Sequence, residues 1–295
     1  MARLKMRLDI RRIKPLLISS LKEDIRTCDI TTEAIIPKDL KVKAEIILKE
    51  SGVIAGLEVA RYIFKLRNKN IKFKPLIKDG SFIKKIDNKK RVIARVEGNA
   101  RNILEAERTA LNFLSHLSGV ATLTHQFVEK VKGYKVKITD TRKTTPNLRY
   151  LEKYAVRAGG GYNHRMGLYD RILIKDNHMK AIRTNPSDCI KMFKRNLKRP
   201  IEVEVKKISQ FKKTLLEEPD IIMLDNMNLK DIRKAVKIRN EFKRKTRSSK
   251  KIEIEVSGNV NLSTVRKIAA CGVNYISIGA LTHSNPALDM ALKVV

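Results

Sequence analysis

Tryptophan is absent from this 295-residue chain, and aromatic residues make up only 5% of it. Nucleobases stack on aromatic faces, so platforms for single-stranded nucleic acid are scarce. Cysteine is almost as thin. Cys28, Cys189 and Cys271 stand far apart and none belongs to a CxxC pair. That argues against a disulfide framework or a thiolate zinc site and fits a reducing compartment. The five histidines, His116, His125, His164, His178 and His283, form no HExxH, so no metal cage is legible. No apolar run approaches the ~18 residues that cross a bilayer. The basic N-terminus, MARLKMRLDIRRIKPLLISS, lacks both a continuous apolar stretch and a small-residue cleavage site. It reads as the start of a cytoplasmic protein with no membrane partner.

Acidic residues are also in short supply. Asp and Glu number 31 against 64 Lys and Arg, a net charge of +33. Three readings compete: a nucleic-acid binder that releases counterions from phosphates, a cationic cleft that attracts a small polyanion, and lysines spread over solvated faces. The densest cluster, Lys243-Arg244-Lys245 with Arg247, Lys250 and Lys251, has the look of a helix end and a surface loop. No aromatics interleave with its cations. Solvated faces account for most of the charge, and the cleft reading is kept for a few named residues.

Hydrophobic residues reach 42%, enough for a core, and the length suggests about two domains or a barrel with an appendage. Residues 9–22 are expected to be helical, 41–51 a strand, and 52–66 a turn through Gly52 and Gly56 into a helix. Short β-like runs over 71–98 are separated by Asp-Gly and Asp-Asn turns. A long 3.6-residue pattern over 102–132 predicts a helix with a break at Gly119. After residue 133 the texture changes. VKIT, ILIK, IEVEV, IIML, IEIEV and YISI recur, several followed by helical stretches. Near-continuous apolar strands alternating with helices indicate a buried parallel sheet, here a barrel or partial barrel.

In such barrels the site lies at the C-terminal strand ends. Those ends carry Asp140-Thr141-Arg142-Lys143, Lys175-Asp176-Asn177-His178, Glu202 and Glu204 on one strand face, Asp225-Asn226, Ser257-Gly258-Asn259 and Gly279-Ala280. Gly159-Gly160-Gly161 with His164 and Arg165 stands just before ILIK. Arg142, Arg165, Lys143 and Lys175 suit carboxylates or a pyrophosphate. Glu204 and Asp225 suit ribose hydroxyls or Mg²⁺ held mainly by a phosphorylated substrate. Backbone N–H groups of the last two turns suit a phosphate. Each motif alone has an ordinary alternative: a flexible loop for GGG, a plain turn for SGN, structural salt bridges for strand-end charges. His116 and His125 read as structural, His178 and His283 as ambiguous, and Cys271 as core.

The blocks ERTALNFLSHLSG (107–119), TDTRKTTPNLRYLEKYAVRAGGGYNHRMGL (139–168), ILIKDNH (172–178), IEVEV, IIMLDN and EVSGNV…VNYISIGALTH resemble the quinolinate phosphoribosyltransferases. The resemblance runs from about residue 23 almost to the C-terminus. It implies an α/β protein with an N-terminal α/β sandwich domain (1–115, joined by the tail 284–295) and an incomplete α/β barrel (116–283). It implies transfer of the phosphoribosyl group of phosphoribosyl pyrophosphate to quinolinate, with Mg²⁺. Nicotinate mononucleotide, pyrophosphate and CO₂ would be the products. It also implies a homodimer, or a multimer of dimers, with shared sites.

Carried over by resemblance, Arg108 would reach a neighbouring subunit's site. Arg142, His164, Arg165 and Lys175 would line the diacid pocket, Thr141 would bind substrate beside them, and Lys143 would serve the pyrophosphate. Glu204 and Asp225 would hold ribose hydroxyls with the metal near them. Ser257-Gly258-Asn259 and Ile278-Gly279-Ala280 would cradle the 5′-phosphate. Lys143, Glu204 and Asp225 would be catalytic, and no metal site made only of protein ligands is implied. Arg26 and Cys28 stand where the family usually has glycines, and Lys49 where arginine is common. Two rivals are a paralogue with another acceptor, ModD-like or using nicotinate, and a basic nucleic-acid-binding protein. The second leaves the strand-end constellation unexplained.

Overall fold

The computed structural model describes residues 8–84, 91–194, 199–246 and 250–295. The first seven residues, the expected Asp87-Asn88 turn and Arg247 lie outside them. The chain divides into two compact units. One comprises the chain up to His125 with Thr145–Gly160 and Ser284–Val295, the other Gln126–Thr144 with Gly161–His283.

In the first unit, α1 (Ile10–Ile25) begins where the Asp9 carboxylate accepts the Arg11 N–H, and it buries Ile13, Leu17 and Leu21 at four-residue spacing. Its C-cap is Arg26, at φ 47°, a positive-φ position that favours glycine. Asp29 caps α2 (Ile30–Ile35) in the same way as Asp9 caps α1. Then follow β1 (Lys41–Leu48), β2 (Gly52–Val53), α3 (Leu57–Arg67), β3 (Lys72–Pro75), β4 (Phe82–Ile83), β5 (Arg91–Asn99) and α4 (Ala100–Lys130). The C-terminal strand Met290–Val294, β1, β5 and β3 form an antiparallel sheet in that order, while β2 pairs with β4. Lys49, the second departure from the family pattern, pairs with Asp289 at 2.9 Å.

Helix α4 buries Ile103, Ala106, Ala110, Leu114, Leu117 and Ala121 on one face. It does not break at Gly119. A Cβ there would stand 2.1 Å from the Pro286 carbonyl oxygen, so the glycine serves a close approach of the C-terminal segment. Segment 145–160, assigned above to the barrel, belongs to this first unit. Its helix α5 (Arg149–Ala158) buries Leu151, Ala155 and Val156, and the buried Glu152 bonds His116 Nε2 at 2.9 Å and the Thr145 N–H at 3.1 Å. Gly159 is likewise a packing residue, because a Cβ would lie 2.3 Å from the Ala121 carbonyl oxygen. The GGG run is therefore not simply a flexible loop.

The second unit is built on a six-stranded parallel sheet. Its elements are β6 (Lys137–Thr139), β7 (Ile172–Ile174), α6 (Asp176–Ala181), α7 (Pro186–Lys194), β8 (Ile201–Val205), α8 (Ile208–Leu216), β9 (Ile221–Asp225), α9 (Leu229–Thr246), β10 (Glu253–Ser257), α10 (Val265–Ala269), β11 (Tyr275–Ser277) and α11 (Ala280–His283). The strand order is β6-β11-β10-β9-β8-β7, an incomplete barrel. Ile138, Val203, Ile222, Ile254 and Ile276 are buried along these strands, which is why they read as apolar runs. Cys271, expected in the core, is only half-buried at the end of α10, where its thiol bonds the Lys267 carbonyl.

Among the described residues β6 and β7 are not bonded to each other. Instead Tyr162 forms a single parallel bridge with Thr139 at the outer edge of β6. The fully buried Asp140 pins the segment beside it, accepting the His164 N–H at 2.9 Å and the Asn163 amide at 2.5 Å. No helix among the described residues is long and apolar enough to cross a membrane.

Candidate active site

The strand ends of the second unit surround a cavity of about 590 Å³. Thr141, Arg142 and Lys143 enter it from the turn after β6, and His164 and Arg165 from the pinned segment. Lys175 follows β7, Glu204 lies on β8, Asp225 ends β9, Ser257-Gly258-Asn259 ends and follows β10, and Ile278-Gly279-Ala280 follows β11. Every sequence-predicted site residue except Arg108 thus lines one cavity. Arg108 is exposed on α4, in the first unit.

Two of the turns need glycine. Gly258 has φ +88°, and a Cβ on it would lie 2.1 Å from Asn226 Oδ1. Asn259 follows at φ 51°. Backbone N–H groups exposed in a turn of this kind at a strand end suit an anion. At Gly279 a Cβ would crowd Lys143 Cδ at 3.0 Å and His283 Nε2 at 3.1 Å. The Thr282 hydroxyl donates to the Lys143 carbonyl at 2.6 Å, and the Lys143 N–H donates to Thr141 Oγ1 at 3.0 Å. The first of these bonds joins the turn after β6 to α11, and the second shapes the turn after β6 itself.

The charges divide by wall. On one side burial, then the neighbouring Arg142 guanidinium, push Arg165 below the ordinary arginine range. Two guanidiniums this close call for an anion between them. On the other side burial, then the charges of Asp225 and Asp176, push the Glu204 carboxyl upward. Oxygen donors of this kind suit a hard divalent cation or sugar hydroxyls.

Beneath them lies a buried group that the sequence did not reveal. His164 Nε2 stands 3.1 Å from Glu202 and 3.5 Å from Glu255. Its Nδ1 accepts the Arg165 N–H at 2.9 Å, so Nε2 carries the ring proton and donates to Glu202. Arg171 adds a cation 3.5 Å from Glu202. Glu202 shares a strand face with Glu204 but points into the sealed floor. Ligand atoms of His164, Glu202 and Glu255 all lie within 4.8 Å of one another. Spacing could not disclose them, because they come from three segments. Burial, then the Glu202 charge, raise the Glu255 carboxyl from 4.5 to about 8, so it is protonated at neutral pH.

This has a measurable consequence. Between the unfolded value near 4.5 and the folded value of about 8, the folded chain holds a proton that the unfolded chain has lost. The contribution of Glu255 to stability therefore falls as pH rises through that window and levels off above it. Glu255→Gln, neutral at every pH, is expected to melt higher than the parent at alkaline pH, by ~2–4 °C for each kcal/mol recovered. It is also expected to remove the slope. Parallel melting curves for the two proteins from acid to alkaline pH would refute the assignment.

Known family models divide the chain once, near residue 119, and keep segment 145–160 with the C-terminal part. The C-terminal domain model of quinolinate phosphoribosyl transferase matches residues 120–293, and the N-terminal domain model matches residues 29–118. A Methanocaldococcus jannaschii protein named "Probable nicotinate-nucleotide pyrophosphorylase [carboxylating]" is 42% identical over 284 residues, covering 95% of this chain and 96% of its own. The nicotinate-nucleotide pyrophosphorylase [carboxylating] of Mycobacterium leprae is 39% identical over 281 residues, covering 93% of this chain and 94% of its own. The solved nicotinate-nucleotide pyrophosphorylase of Francisella tularensis superposes with a TM-score of 0.89 at 36% identity, covering 98% of each chain. Matched by both domain models and by full-length relatives on a site built residue by residue from its strand ends, the chain belongs to the quinolinate phosphoribosyltransferase family.

Proposed function

We propose that this chain transfers the phosphoribosyl group of phosphoribosyl pyrophosphate to the ring nitrogen of quinolinate and decarboxylates the adduct to nicotinate mononucleotide, a step of de novo NAD biosynthesis. The observation that carries this is the two-walled cavity: Arg142, Arg165 and Lys175 on one side, Glu204 and Asp225 on the other, glycine turns beside them. The arginines and Lys175 hold the two carboxylates of the acceptor and aim its nitrogen at the anomeric carbon. As the C–O bond to pyrophosphate breaks, Glu204 and Asp225 stabilise the cationic sugar and Lys143 the departing anion. The new N–C bond leaves the ring nitrogen positive. The bond to the adjacent carboxylate then breaks, CO₂ leaves, and the ring carbon keeps the electron pair and takes a proton.

Glu204 and Asp225 have the oxygen donors that Mg²⁺ prefers and would hold it. Bound there, the ion would supply positive charge to the pyrophosphate. The turns at Ser257-Gly258-Asn259 and Ile278-Gly279-Ala280 receive the 5′-phosphate. Exposed Arg108 serves the site of a second copy in a homodimer, and the protein works in the cytoplasm. The test is a coupled assay with phosphoribosyl pyrophosphate and Mg²⁺. Pyrophosphate and CO₂ in equal amounts are expected with quinolinate, and neither with nicotinate. Turnover of nicotinate, or pyrophosphate release without CO₂, would point to a paralogue with another acceptor.

A further inference from the structure

We propose that Lys206 is a built-in counter-cation of the carboxylate rim and competes with a divalent ion for Asp225. The inference rests on the reading above in which Glu204 and Asp225 hold that ion. Lys206 follows the last residue of β8. Its N–H and that of Lys207 both donate to Gln210 Oε1, at 2.9 and 3.2 Å, which fixes the turn into α8. The Lys206 ammonium lies 2.6 Å from Asp176 Oδ2 and 3.8 Å from Asp225 Oδ2. Asp176, Glu204 and Asp225 belong to three successive strand ends, and like charges gathered at one rim repel one another. The Lys206 ammonium stands between the outer two.

Among the described ion pairs only Lys206 is paired with both outer aspartates. Asp176 has a second partner in Lys180, at 3.6 Å, whereas the other Asp225 oxygen takes only the Asn226 amide, at 3.0 Å, among the described hydrogen bonds. A dication arriving at Asp225 meets an ammonium already at ion-pair distance. The Lys206 side chain is 45% exposed, on a long flexible stem, so it has room to withdraw to Asp176. The cost of that withdrawal weakens metal binding until substrate phosphates arrive to share the charge. In the free protein the acidic wall is thus kept from collapsing or capturing a stray cation.

The test is Mn²⁺ binding, followed by electron paramagnetic resonance of the free ion, in the full chain without substrates. Lys206→Met keeps the length of the side chain and removes its charge, and is expected to tighten Mn²⁺ about tenfold, the equivalent of ~1.4 kcal/mol. Lys206→Arg keeps the charge and is expected to match the parent. Lys206→Gln serves if the methionine variant does not fold. Asp225→Asn is expected to abolish the gain in the Lys206→Met background. Equal Mn²⁺ affinity in parent and Lys206→Met, with Asp225→Asn weakening both, overturns the role of Lys206 and leaves the metal reading standing. Binding indifferent to Asp225→Asn in every background removes the metal reading, and this proposal with it.

Discussion

Arg142→Ala and Lys175→Ala are each expected to lower kcat/KM for quinolinate by about 10²–10³-fold while the chain keeps its fold. The size follows from what the side chains face. Removing one partner of a desolvated charge pair costs ~2–5 kcal/mol, because the other charge is left without compensation. On the proposed function the stranded charge would be a substrate carboxylate beside Arg165, a residue that is itself buried and already crowded by Arg142. Arg142→Lys is expected to recover only part of the loss, since an ammonium cannot present two parallel N–H bonds to a carboxylate. Lys175 differs in that its backbone N–H is engaged by His178 Nδ1 at 3.1 Å, which sets the start of α6 whatever the side chain. Lys175→Ala therefore removes charge without disturbing the turn. Near-parental turnover of quinolinate by either alanine variant, with normal melting, would withdraw the diacid pocket from these residues.

The second large effect is expected at Asp140, which touches substrate in no part of the mechanism. Its carboxylate is fully buried and holds the His164 N–H and the Asn163 amide. Asp140→Ala removes the acceptor of the buried His164 N–H, at ~1–3 kcal/mol, together with the bond to the exposed Asn163 amide. It also frees the segment that carries Arg165 into the cavity. Loss of ~1–3 kcal/mol of stability and a marked rise in KM for quinolinate are expected together. Asp140→Asn keeps the shape but turns one acceptor into a donor facing a donor, so it should fall between alanine and the parent. If Asp140→Ala melted with the parent and bound quinolinate as tightly, the pinning role would be wrong.

The strand-end residues were legible because a parallel barrel forces a simple rule on the chain: an apolar run, then a polar turn at the mouth. The runs ending at Thr139, Ile174, Val205, Asp225 and Ser257 obey it, and their neighbours line the cavity. What stayed hidden depends on partners distant in the chain. Glu202, Glu204 and Glu255 look alike in sequence, yet Glu202 and Glu255 close over His164 while Glu204 and Glu255, not Glu202, line the cavity. Only the depth of each residue along its strand separates them. Segment 145–160 reads as barrel because it follows β6, but Glu152 of α5 bonds His116 of α4 within the first unit, and Gly159 lets the chain pack against Ala121. The same cause misplaces Gly119: a glycine inside a helical pattern signals a break locally and a close neighbour globally. Lys206 passed unnoticed among so many lysines, since nothing in composition distinguishes a cation paired with two aspartates from one in water.

In a fully closed barrel the bore follows from strand number and stagger, and no single side chain alters it much. This sheet stops short of closure, and the gap beside β6 is spanned by one bridge and the Asp140 carboxylate. The width of the mouth on the Arg142–Arg165 side is consequently set by a single backbone bridge and the reach of one side chain rather than by a full ladder. A change of one methylene there would resize the opening, and with it the range of acceptor rings admitted, while the other five strands stayed in register.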